Sequence, residues 1–329
     1  MSDEVLVLDE ATVREVASGV DALGAAREAF VALSRGAVEQ PDVLSLDLRR
    51  QRGEVHAKGA FIHGAPFYTI KVASGFYGNP ALGLPVAGGA VWVFDAATGA
   101  LRAILLDRGH LTDVRTGAAG AVAADLLARP DSERAVVVGA GGQARHQMAA
   151  LARVRELRHI TVWARDPEAG RRCAEDVAAA TGVETTTCAD LRDAVHDADV
   201  VVTATPAREP LVRAGWIQPG THVTAIGSDL PGKVELEPAL LAGSRVFADR
   251  LAQCRTQGEI AAAIAAGAIA EGDVVAELGD VAAGAVTGRA ASHEVTIADL
   301  TGVGALDAAL AVAVVERALA AGAGMTLRA

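Results

Sequence analysis

The sequence predicts an α/β protein in which a Rossmann-type, doubly wound parallel sheet is joined to a smaller α+β unit. Three observations carry that expectation. From residue 134 onward, short β-branched runs alternate with helical stretches. The first of those runs ends in a glycine turn, "VVVGAGGQA", that leads directly into a helix. Before residue 108 the texture is different, with short β-like pieces separated by turn residues.

In chain order, residues 9–36 place Val13, Val16, Val20, Leu23, Ala26, Phe30 and Leu33 at helical spacing, read as one helix closed by Gly36. "VLSLDL", "FYTIKVA", "GAVWVFD" and "LRAILLD" read as a mostly antiparallel meander, and "GHLTDVRTGAAGAVAADLLARP" as a long alanine-rich helix stopped by Pro130. The alternating part reads "AVVVGA", helix 143–155, "HITVWA", helix 167–181, a strand near "ETTTC", helix 190–196, "DVVVTAT", "HVTAIG", "SRVFAD", a helix, and "EVTIADLTG". Two domains are expected: a unit over 1–114, completed by a C-terminal helix over 305–329, and a dinucleotide-binding unit over 115–299.

Composition narrows the function. Of 329 residues, 51% are hydrophobic, ample for a core. A net charge of −11 with no basic run speaks against nucleic acid and anionic membranes as partners. No uncharged apolar run reaches the ~18 residues of a membrane span. Cys173, Cys188 and Cys254 are odd in number and lack metal or redox spacing, and the first residues carry no basic leader, so a cytoplasmic protein without a metal is expected.

In the turn, Gly139 and Ala140 allow a tight reversal, Gly141 lets backbone approach a pyrophosphate, and Ala144 permits close helix–strand packing. The competing reading is a small-residue packing turn. The second strand of the alternation ends in Ala164 and Arg165 where an acid would bind a ribose 2′-hydroxyl, which favours NADP over NAD. Arg165 could instead be a solvated residue stacking on adenine, and Asp166, slightly late, remains within reach of the hydroxyl. Thr203 and Thr205 in "VVTATP", and Ile226 and Gly227 in "TAIGSD", fall at strand ends where a nicotinamide and its substrate should meet.

Lys71, Arg115 and Asp229 lie within or just after apolar runs, where a purely structural charge is costly, although each alone could be an ordinary ion-paired residue. The ordered segments "IKVASGFYGNPALGLPVAGGAVWVFDAATGAL", "LTDVRTGAAGAVAADLLAR", "VVVGAGGQARHQ", "HVTAIGSDLPGKVELEPALL" and "VTIADLTGVGALD" resemble the ornithine cyclodeaminase/mu-crystallin family over about residues 40–325. That resemblance implies a Rossmann domain, a dimerising sheet domain and a homodimer. It implies Lys71 as a substrate-contacting, catalytic lysine, Arg115 as an arginine shared between substrate carboxylate and cofactor phosphates, Asp229 as the general acid/base, and Lys233 as a further substrate-side lysine. It also places Thr116, Gln143, Ala164, Arg165, Thr205, Thr301 and Gly302 on cofactor-contacting positions.

One departure bears on the substrate. Many family members carry an arginine after the proline that precedes the first sheet strand; here "EQPDVLSLDL" offers Asp42 and Val43, while "HAKGAF" brings in Lys58. This resembles the subgroup of ectoine utilisation protein C and the iminosuccinate reductases. The expected function is therefore NAD(P)H-dependent reduction of a small α-imino acid to an L-amino acid, sharpest as iminosuccinate to L-aspartate, with Lys58 binding a second carboxylate. The alternatives are an ornithine cyclodeaminase, whose ammonium-bearing substrate Lys58, Lys71 and Lys233 would repel, and a non-catalytic, crystallin-like dinucleotide-binding protein.

Overall fold

The computed structural model describes residues 4–328, and its chain divides into two units. One comprises the chain up to Arg115 together with the stretch from Gly304 onward; the other is Thr116–Val303.

The first unit opens with strand β1 (Glu4–Leu8) and the helices α1 (Glu10–Ser18) and α2 (Ala22–Ser34). The single helix expected over 9–36 is thus two. Gly19 ends the first, and Asp21 restarts the ladder as an N-cap, accepting from the Gly24 N–H at 3.0 Å. The apolar spacing runs through the break because both helices bury one face, Val13 and Val16 in the first, Ala26 and Phe30 in the second. Strands β2 (Val38–Glu39), β3 (Leu44–Leu48), β4 (Gly53–Ile62), β5 (Phe67–Phe76), β6 (Ala87–Asp95) and β7 (Leu101–Leu105) follow. β3 through β7 pair antiparallel with their chain neighbours, but β1 adds to β7 in parallel. β4 left little pattern in the sequence because most of "GEVHAKGAFI" is half-buried on both faces, which erases alternation. Helix α3 (His110–Leu127) begins where the buried Asp107 carboxylate accepts from the Leu111 N–H, and the division between units falls within it.

The second unit alternates as β8 (Arg134–Val138), α4 (Gly142–Leu151), β9 (His159–Trp163), α5 (Pro167–Thr181), β10 (Glu184–Thr187), α6 (Leu191–His196), β11 (Val200–Thr203), β12 (His222–Ala225), α7 (Pro238–Ala242), β13 (Arg245–Ala248), α8 (Leu251–Cys254), α9 (Gly258–Ala265), β14 (Val274–Glu277), α10 (Leu278–Ala282) and β15 (Thr296–Asp299). Every pairing in its sheet is parallel, in the order β10-β9-β8-β11-β12-β15-β13-β14. The order reverses between β8 and β11, the switch point of a Rossmann sheet. Helices cover both faces, one side packing Ala144, Met148, Cys173 and Val177, the other Val195, Leu240 and Ile260. The α/β class expected from the alternation is the class observed. Helix α4 stops at Leu151 rather than 155, the remaining residues forming turns, and β14 adds an edge strand that the sequence reading did not include.

The chain returns to the first unit as α11 (Gly304–Ala321) and β16 (Met325–Arg328). The helix expected over 305–329 therefore ends early. Gly322 and Gly324 adopt φ of 63° and 94° and reverse the chain, and β16 then pairs antiparallel with β1. Residue 329 lies outside the described residues. α11 packs on α2, β4 and β5. A Cβ on Gly304 would stand 3.0 Å from the Gly59 carbonyl oxygen, so the helix start can approach the sheet this closely only as glycine.

Candidate active site

In the first unit, strand alternation turns Thr69 and Lys71 of β5 inward and leaves Ile70 on the opposite, exposed face. Lys71 is buried, and its Nζ donates to Asp307 Oδ1 at 2.7 Å and to Thr112 Oγ1 at 3.1 Å. Arg115, one helical turn beyond Thr112 on α3, donates from Nε to the same Asp307 oxygen at 2.8 Å. Asp307 sits in the first turn of α11, where the helix dipole favours a carboxylate. Lys58 stands directly opposite Lys71 in the β4–β5 register, so both side chains leave the same face of the sheet.

Like charges facing each other across a strand pair are destabilising, and burying a cation is more so. Burial pulls the Lys71 ammonium down to a pKa of about 7, against the attraction of Asp307 and reinforced by Arg115 and Lys58. Burial pushes Asp307 the other way, but Arg115, Lys71 and Lys58 outweigh it and hold the carboxyl near 2. The hydrogen-bonded trio thus sets two cations against one anion.

In the second unit, β8 ends at Val138 and Gly139 turns the chain with φ of 125°. A Cβ there would lie 2.6 Å from the Ala204 carbonyl oxygen at the end of β11, so the turn and the neighbouring strand end are in glycine-only contact. Gly141 leads into α4 with no atom within 4 Å of where a Cβ would stand, and Ala144 is fully buried. This geometry fits a dinucleotide pyrophosphate: small residues let the backbone come close, and the helix start offers its N–H groups. Ala140 and Gly141 carbonyls accept from Arg145, and Gln143 is half-buried at the helix start. Ala164 and the exposed Arg165 follow β9 immediately. Asp166 is the N-cap of α5, its carboxylate accepting from the Glu168 N–H at 3.0 Å.

The strand ends next to that turn are held by carboxylates that the sequence reading did not single out. Glu235, fully buried, accepts from Thr203 Oγ1 at 2.8 Å, from the Thr205 N–H and Oγ1 at 2.7 Å each, and from the Gly227 N–H at 2.9 Å. It therefore ties the end of β11 to the residues after β12. Glu259 accepts from Ser228 Oγ and from the N–H groups of Glu235 and Leu236, and Ile226 is buried beside them. Burial raises Glu235 to a pKa of about 7, opposed by the Thr205 and Thr203 hydrogen bonds and assisted by Glu259. Asp249 accepts from Thr301 Oγ1 at 3.0 Å and from the Gly302 N–H at 2.7 Å, fixing a turn in which Gly302 has φ of 83°. Just past Ser228, the half-exposed Asp229 accepts from the buried Lys233 Nζ at 2.8 Å. Thr116, the first residue of this unit, gives its carbonyl to Gln147 Nε2 at 2.8 Å.

Lys58, Lys71 and Arg115 share the first unit; Thr116, the glycine turn, Ala164, Arg165, Thr203, Thr205, Ile226, Gly227, Asp229, Lys233, Thr301 and Gly302 belong to the second. Asp307, Glu235, Glu259 and Asp249 are not distinguished by the sequence alone. Of 30 lysines and arginines only three are lysine, Lys58, Lys71 and Lys233, and all three are buried or half-buried. A chain that uses arginine for every other cation has kept lysine, whose protonation is adjustable, at three candidate site positions.

A parallel sheet with its order reversed beside a glycine turn defines the Rossmann class of dinucleotide-binding folds. More narrowly, the chain belongs to the ornithine cyclodeaminase/mu-crystallin family, whose model matches residues 3–322. A Rhizobium meliloti (strain 1021) protein named as a dehydrogenase is 44% identical over 321 residues, covering 97% of this chain and 98% of its own. Among solved structures, Thermococcus litoralis Δ1-pyrroline-2-carboxylate reductase, in complex with NADH and L-proline, superposes with a TM-score of 0.93 at 30% identity, covering 98% of this chain and 99% of the other. The iminosuccinate reductase of Paracoccus denitrificans in complex with NAD+ gives 0.90 at 34% identity, with coverage of 99% and 100%. Both are reductases holding a nicotinamide dinucleotide. No helix among the described residues is long and apolar enough to cross a membrane.

Proposed function

We propose that the protein reduces a small α-imino acid to an L-amino acid with NAD(P)H, and that its substrate is a dicarboxylate, iminosuccinate giving L-aspartate. The observation that carries this reading is the pair of lysines on one sheet face, Lys58 opposite Lys71, beside Arg115 and balanced within the hydrogen-bonded trio by Asp307 alone. Cations facing one another on a sheet face favour an anion, and a substrate with two carboxylates supplies two. With Arg115 Nε given to Asp307, its terminal nitrogens form the remaining fork for the α-carboxylate, and Lys58 takes the second carboxylate.

A bound reduced nicotinamide would supply the hydride to the imine carbon. Gly139, Ala140, Gly141, Gln143 and Ala144 are assigned to its pyrophosphate, and Thr203, Thr205, Ile226, Gly227, Thr301 and Gly302 to its positioning. Ala164 and Arg165 favour NADP through a 2′-phosphate contact. Asp229, paired with Lys233, is assigned the proton that goes to the imine nitrogen, with Lys71 as the second acid/base group. The exposed Leu44, Leu46 and Ile70 on β3 and β5 support a homodimer through this sheet.

Oxidation of NADPH and NADH with oxaloacetate, pyruvate or a cyclic ketimine, each with ammonia where needed, tests the reading. Turnover fastest with oxaloacetate plus ammonia supports it. Proline formed from ornithine without net cofactor oxidation overturns it in favour of a cyclodeaminase, and dinucleotide binding without turnover of any of these favours a non-catalytic protein.

A further inference from the structure

We propose that Asp307 is the positioning residue of this site, binding Lys71 and Arg115 through one oxygen and presenting them as a single anion-binding unit. The proposal rests on the reading that these two cations hold the substrate. Three elements meet at that oxygen: β5 brings Lys71, α3 brings Arg115, and the first turn of α11 brings the carboxylate, while Thr112 of α3 accepts a second hydrogen bond from Lys71. The contacting groups are buried, so neither cation can swing to solvent for another partner. Arg115 is engaged through Nε, which sets the plane of its guanidinium and commits its other edge. Asp307 itself is held by its helix, whose start is fixed by the Gly304–Gly59 approach and by Gln40, which accepts from the Ala305 N–H at 3.1 Å.

Asp307 also decides the charge of Lys71. The charged groups acting on Lys71 are Asp307 on α11, Arg115 on α3, Lys58 on β4, and Asp107 in the segment before α3. Arg115 and Lys58 both disfavour the ammonium. Asp307 is the carboxylate hydrogen-bonded to it, while burial raises Asp107 toward its neutral form. Without Asp307, Lys71 loses its proton at lower pH, and the site loses a cation as well as its geometry. Asp307 acts through the other two residues and is not itself a group that touches substrate.

With only three lysines in the chain, the test is direct. Protein carrying 13C at the lysine ε-carbons gives three resonances, assigned by single lysine substitutions, and the Lys71 signal is titrated in the full-length protein without substrate. Asp307→Asn is expected to move its midpoint down by at least about one pH unit. It is also expected to raise KM for the 2-oxo acid about 10-fold or more, with the Lys71 limb of the rate profile moving in the same direction. Asp307→Glu keeps the charge but displaces the oxygen, so its titration should stay near that of the wild type while KM still rises. A Lys71 midpoint unchanged in Asp307→Asn overturns the proposal; if that variant does not fold, wild-type titration and wild-type KM in Asp307→Glu overturn it instead. The titration needs no turnover, so its outcome is separable from a failure of the imine-reductase reading.

Discussion

The two units partner their buried charges differently. The second buries carboxylates, Glu235, Glu259 and Asp249, and surrounds them with donors from its own backbone and hydroxyls. Those groups are satisfied internally and serve as fasteners between strand ends. In the first, two buried cations, Lys71 and Arg115, share a single carboxylate oxygen between them. Carboxylates held by several local donors act as structural fasteners, whereas two cations sharing one oxygen keep capacity for a further anion.

That comparison is breakable at several points. The largest effect is expected from Arg115→Met, which removes the carboxylate fork and should lower kcat/KM for imine reduction by about 100-fold or more while leaving dinucleotide binding through the glycine turn measurable by fluorescence titration. Next is Glu235→Ala, which strips one acceptor from four hydrogen bonds and should cost roughly 3 kcal/mol of stability, read by denaturant unfolding, together with weakened dinucleotide affinity. If instead Arg115→Met proved strongly destabilising and Glu235→Ala affected catalysis alone, the contrast between the units would be reversed.

Smaller effects sharpen it. Arg165→Ala should raise KM for NADPH about 5- to 10-fold with NADH little changed; equal changes for both would make Arg165 an adenine-stacking residue. The Lys71 ammonium, lowered from 10.5 to about 7 mainly by burial, binds its proton more weakly folded than unfolded. Between those values the unfolded chain carries the extra proton, so this group makes the fold more stable as pH rises above 7. Lys71→Met removes that dependence, and the unfolding free energy of the variant minus that of the wild type should fall as pH increases through this window. A difference independent of pH would mean that folding does not lower the proton affinity of Lys71.

Much of the second unit was legible because its strands are buried on both faces and punctuated by Gly139, Pro167 and similar signals; α5 falls at 167–181 as read. The first unit was less so. β4 lacks alternation, and the two edge strands, β2 with two residues and β16 with four, fall below any periodicity. Lys71 and Arg115 could be singled out because a charge inside an apolar run is conspicuous. Asp307 was not, since an aspartate near a helix start in "GVGALDAAL" reads as an ordinary first-turn acid. Its role emerges only when β5 and α3, far away in sequence, bring their cations to it. Glu235 was hidden for the same reason: nothing local in "GKVELEP" says that it accepts from residues 203, 205 and 227.

Whether the facing lysines select a second carboxylate is read from the ratio of kcat/KM for oxaloacetate plus ammonia to that for pyruvate plus ammonia, in wild type and in Lys58→Ala. The ratio should favour oxaloacetate in the wild type and fall about 10-fold or more in the variant, through loss of the dicarboxylate with pyruvate little affected. A ratio unchanged by the substitution would contradict that selection.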